Sequence, residues 1–156
     1  MKKTDKVLEV VEKKISFKTS EKFDPKEYYQ NRKGLYIWSS FQEKILPKAK
    51  TVKKGVEFAI ASFKLAKWAT DEEIESALPK KHIFKEGDVC ALISEMIAKQ
   101  PEGQGGALLN TGYANLFYTK VFVVSVDWFD VEWDVSTWGR GGRGWFGDNR
   151  VFSPVN

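Results

Sequence analysis

Between Trp138 and Trp145 the sequence reads WGRGGRGW, two arginines spaced by glycines and bracketed by indoles. Arg140 and Arg143 in this setting have the composition to contact phosphate and to stack on bases. A guanidinium is planar and permanently charged, and glycine lets the backbone approach a ligand closely. A glycine-rich hairpin loop between two strand-end tryptophans is written with the same letters. Neither this string nor PEGQGGALL carries the Gly-Lys-Ser/Thr ending of a nucleotide-binding loop. A second set is acidic: Asp127, Asp130, Glu132 and Asp134, interleaved with Trp128 and Trp133. If Glu132 and Asp134 leave one face of a strand, two carboxylates could hold a divalent cation or work as acid and base, and tryptophans beside them would suit a sugar. The plainer reading sets the acids on the wet face of a sheet whose other face is Trp and Val. Their spacing is not that of a calcium loop.

His82 is the only histidine, in the basic connector PKKHIFKEGD, so a Ser-His-Asp hydrolase would have to route everything through it. No G-x-S-x-G elbow supplies a nucleophile, which leaves a surface or capping histidine. Cys90, beside an apolar stripe that also holds Ser94, reads as a small buried thiol. Lysines crowd the N-terminal third, where residues 1–54 hold 15 Lys and Arg against 7 Asp and Glu. Lys2, Lys3, Lys6, Lys13, Lys14, Lys48, Lys50, Lys53 and Lys54 could touch nucleic acid without regard to sequence. They also alternate with Glu9, Glu12, Glu21 and Glu27, as on a solvated mixed-charge face. Aromatics are distributed the other way, with eleven of the 22 in the last 52 residues.

Composition removes several function classes. At 156 residues and 42% hydrophobic content one core suffices, burying roughly 70% of the surface the unfolded chain exposes. One cysteine and one histidine cannot build a structural zinc site or an intramolecular disulfide. No metal and no cofactor are expected. No run approaches the length of a membrane span and MKKTDKVLEVVEKK lacks a signal-peptide core, so the expected compartment is the cytoplasm, with no membrane partner.

The elements that must position these residues are legible in part. Residues 1–20 fit either a short amphipathic helix or a strand. FDPKE starts a helix, with Asp24 as cap, Pro25 at the first position, Glu27 in place for a capping box and Gly34 as the stop. Leu35–Phe41 reads as a strand followed by a turn of helix, and Val56–Leu65 as a strand. Thr70 and Glu73 frame a capping box for a helix closed by Pro79. Over Asp88–Lys99, the residues Val89, Leu92, Ile93, Met96 and Ile97 mark one buried helical face. Leu116–Ser125, Val131–Thr137 and Arg150–Ser153 read as strands separated by NTG, WGRGGRG and GDN. The expected fold is α+β, a single domain over residues 1–156, with an antiparallel β-meander in the C-terminal half packed against one or two helices.

The string LLNTGYANLFY (Leu108–Tyr118), the spaced tryptophans and the final RVFSP resemble a group of small bacterial proteins that end in VFSP or VFSR. The resemblance implies a soluble bacterial protein in which Asn110, Gly112, Tyr113, Asn115 and Tyr118 form a recurring turn and strand. It carries no catalytic residues. The residues themselves read NTGYAN as a tight turn whose side-chain amides bind backbone groups. The expected function is a small non-enzymatic intracellular binding domain whose contact surface is the aromatic C-terminal sheet and the Arg140–Arg143 loop. Its partner would be a protein or, preferentially, single-stranded nucleic acid. The competing expectations are a carbohydrate-binding or hydrolytic site on the acids and tryptophans, and a protein inhibitor or structural accessory protein.

Overall fold

The computed structural model describes residues 6–155. Its centre is a seven-stranded mixed sheet in the order β1-β3-β9-β5-β6-β7-β2. The strands are β1 (Leu8–Lys18), β2 (Leu35–Ile37), β3 (Glu57–Leu65), β5 (Asn115–Tyr118), β6 (Phe122–Phe129), β7 (Glu132–Gly139) and β9 (Arg150–Pro154). A two-stranded ribbon pairs β4 (Ala69–Thr70) with β8 (Gly144–Trp145). Four α-helices complete the fold: α1 (Pro25–Tyr28), α2 (Ser39–Lys44), α3 (Asp71–Ala77) and α4 (Glu86–Ala98). The α+β class therefore holds, and β5, β6 and β7 form the antiparallel meander. Two strands depart from it. β9 runs parallel to β5 and antiparallel to β3, and β2 runs parallel to β7.

Alternation along the strands assigns the two faces. Leu35, Ile37, Phe117, Val124, Val126, Trp133, Val135 and Phe152 bury against the apolar stripe of α4 (Val89, Leu92, Ile93, Met96), with Tyr29 and Phe41 filling the flank. The intervening residues must point to the opposite face because the side-chain period is two. There α3 covers a second, smaller core of Leu65, Ile74, Leu116, Tyr118, Val123 and Val151. Cys90 lies in the α4 core and burial raises its thiol far above the ordinary range, leaving it inert.

Several local expectations are corrected. Of the helix and strand readings of residues 1–20 the strand holds over Leu8–Lys18, paired with β3 through two register shifts, while residues 1–5, with Lys2 and Lys3, lie outside the described residues. α1 stops at Tyr28 rather than at Gly34. Asp24 caps it by accepting the Lys26 amide, and Gly34 (φ 86°) sits instead in the tight turn closed by Arg32 and Leu35. The run read as one strand over Leu116–Ser125 is a hairpin that breaks at Thr119, whose backbone and hydroxyl both bond Phe122. Val131 belongs to no strand: with Asp130 it forms the two-residue turn between β6 and β7, and it is 78% exposed. α3 carries the expected capping box from Thr70 and Glu73.

Candidate functional site

On the sheet face opposite α4, the β6–β7 ladder sets Val123 against Trp138, Ser125 against Ser136 and Asp127 against Asp134. Val123 is buried under the α3 core, and two rungs further the same face opens into a cleft of about 430 Å³. Its floor is Ser125, Asp127, Asp134 and Ser136, and its walls include Trp38, Trp138, Trp145 and Arg143. The elements that bring these together are far apart in sequence. β2 pairs with β7 in parallel and sets Tyr36 beside Asp134, so the chain leaving β2 delivers Trp38 to the rim. Ser40 follows and bonds the Thr137 amide.

Asp127 and Asp134 are direct cross-strand neighbours, a position in which Cβ atoms stand about 5 Å apart and like charges oppose each other. Burial pushes both carboxyls up to about 6. For Asp134 the Glu132 side chain adds to the rise while the Trp38 side chain opposes it. Asp134 is 8% exposed, yet its Oδ1 has no hydrogen-bond partner among the described residues. Buried polar groups without partners are uncommon and costly. An unpartnered carboxylate oxygen facing the cleft, with the Asp127 carboxyl beside it, is the feature that marks it as a site.

The glycine-rich loop forms the third wall, and α3 fixes it. Asp71, buried at the start of α3, accepts from the Tyr118 hydroxyl (2.7 Å), the Trp145 Nε1–H (2.8 Å) and the Gly141 amide (2.9 Å). Gly141 has φ 84°, and a Cβ at Gly144 would collide with the Trp68 indole, so both positions require glycine. Arg140 is turned away from the cleft: Nε and Nη2 bind Glu75, and Nη1 donates to the Lys120 carbonyl. Glu75 also accepts from or shares a proton with His82 Nε2 at 2.8 Å, while Nδ1 of that ring faces the Pro79 carbonyl. His82 is thus a buried tether rather than a surface residue, and of the surface or capping alternatives it is nearer the second, with Nδ1 on the Pro79 carbonyl just past the end of α3. Arg143 has a different environment. Its guanidinium lies 4.3 Å from the centroids of both Trp138 and Trp145, in the corner between rings inclined at 86°. Its one hydrogen bond among the described residues is a long one, Nε to the Gly144 carbonyl at 3.4 Å.

The chain matches no protein-family model, no curated protein and no solved structure. The site is therefore read from its geometry alone.

The two constellations of the sequence merge here, with changes of membership. Asp127 and Asp134 share the cleft with Trp138, Trp145 and Arg143. Asp130 is in the exposed turn, and Glu132 reaches the cleft only through Asp134. Trp128 and Trp133 are not beside the acids. They pack edge-to-face on the α4 side, where Trp133 Nε1 donates to the Gln100 carbonyl and Trp128 covers Gly103. Trp38 is the residue that sequence reasoning did not single out, because its arrival depends on the β2–β7 pairing. The NTGYAN turn is structural as read: Asn110 bonds the Gly103 carbonyl, and Asn115 bonds Leu109 and Val126. Among the described residues no group of His, Cys, Asp and Glu is arranged to hold a metal ion, and no helix is long and apolar enough to cross a membrane.

Proposed function

We propose that the protein is a ligand-binding domain whose cleft takes a saccharide. The observation that carries this reading is the unpartnered buried oxygen Asp134 Oδ1, beside Asp127 and under partly exposed tryptophan faces. A ligand that suits such a cleft donates several hydrogen bonds and presents a flat apolar face. Sugar hydroxyls donate to carboxylates, and the C–H face of a pyranose packs on an indole, whose body is apolar. Trp38 and Trp138, about half exposed, supply two such faces beside the acids. Single-stranded nucleic acid has less support at this site, because Arg140, one of the two arginines it would need, is held by Glu75 and turned away from the cleft.

The test is titration with mono- and oligosaccharides, followed by tryptophan fluorescence and by amide shifts in β6 and β7. Binding should be insensitive to salt between about 50 and 200 mM, whereas a polyanion would lose orders of magnitude in affinity. Asp134→Ala should weaken it about tenfold, the value of one hydrogen bond to a charged group. Shifts that miss the cleft, or steeply salt-dependent binding of oligonucleotide without any response to sugars, would reject the proposal.

A further inference from the structure

The two arginines of one short loop are engaged very differently. Arg140 is paired with a carboxylate and bonded to a carbonyl, but Arg143 is exposed, forms no ion pair among the described residues and directs its guanidinium along the cleft wall. Its position is nevertheless fixed, because two indoles hold it and Asp71 holds Trp145. A guanidinium in the corner between two near-perpendicular rings stacks its face on one and turns an edge to the other, and the N–H edge left outward presents two parallel donors matched to a carboxylate. The entropy cost of ordering a long side chain has been met before the ligand arrives. The cleft therefore holds an acceptor region at Asp127 and Asp134 and an anion-recognising donor at Arg143.

From this we infer that the ligand is an acidic saccharide, a uronate whose carboxylate binds the edge of Arg143 while its hydroxyls meet the acids. The inference rests on the saccharide reading above and narrows it. Carboxylate suits the site better than phosphate. Asp127 and Asp134 line the same cleft, and their repulsion grows with the charge of the incoming group, so a group of charge near −2 is opposed about twice as strongly as one of charge −1.

The deciding experiment uses paired sugars on the full chain: glucose with glucuronate, galactose with galacturonate, mannose with mannuronate, and a hexose phosphate as the third arm. For at least one pair the uronate should bind tenfold or more tightly than its neutral partner. Arg143→Gln should abolish that difference, read as the ratio of uronate to neutral-sugar affinity within the variant, and Arg143→Lys, which keeps the charge but loses the fork, should recover only part of it. Equal binding of uronate and neutral sugar by the unaltered protein overturns the inference and leaves the saccharide reading in place, whether or not the variants fold. Tighter binding of the hexose phosphate overturns the carboxylate assignment. Failure of every sugar, neutral and acidic, rejects both.

Discussion

Asp127 and Asp134 are raised to about 6 by burial, against an ordinary value of 3.8. Between about pH 4 and 6 the native state keeps protons that the unfolded chain has released, so this pair makes stability fall as pH rises through that window. Glu73, held low by the Thr70 bonds, and Glu75, held low by Arg140 and His82 against its own burial, act in the opposite sense. The difference between parent and variant is therefore the informative quantity. Asp134→Asn should be more stable than the parent at pH 7 by on the order of 1 kcal/mol, with the gap closing toward pH 4. Urea midpoints at four pH values measure this, and a gap constant with pH would contradict it. Val131 offers a second single-residue test. It adopts φ 64° in the β6–β7 turn, a conformation that clashes with a β-branched side chain, and most of it is in water. Val131→Gly should stabilise the fold by about 1 kcal/mol, read as a higher urea midpoint with an unchanged slope.

At the scale of elements, α3 is the support of the loop that walls the cleft. Asp71→Ala would strand the Tyr118 hydroxyl and the Trp145 indole N–H in a buried space and free Gly141, at a cost of about 3 kcal/mol or more. Thr70→Ala, one residue away, removes only the cap and should cost about 1 kcal/mol. Thermal unfolding of the two variants distinguishes a helix that merely ends well from one that holds a loop; equal losses would deny Asp71 that role. α3 and α4 were legible in the sequence because their signals are local, a capping box in one and a 3.6-residue stripe in the other. The β5–β6 break was not, since its turn residues Thr119, Lys120 and Val121 carry no Gly, Pro or Asn and the hydroxyl of Thr119 does the closing. Asp127, Asp134 and Arg143 could be found by type, but their sharing of one cleft with Trp38 depends on a parallel pairing between residues about a hundred positions apart, which no local pattern encodes. Strand parity did hold one usable clue: Trp133 and Trp138 are five residues apart on β7 and must face opposite sides.

For the whole molecule, two cores lie on opposite faces of one continuous sheet, and β5, β6 and β9 contribute to both. Loss of either core would expose the strands that support the other. We expect a single cooperative unfolding transition, with far-UV circular dichroism and tryptophan fluorescence superimposing across a urea titration. Two separated transitions would mean that the smaller core under α3 melts as its own unit. The pairing order has a further implication for how the chain is made. The sheet halves β1-β3 and β5-β6-β7-β2 share no direct strand pairing and meet only through β9, residues Arg150–Pro154. A chain emerging from the ribosome would present two unpaired sheet edges, at β3 and at β5, until those five residues clear the exit tunnel. During that interval the nascent chain would be most exposed to chaperones and to pairing with a neighbouring nascent chain.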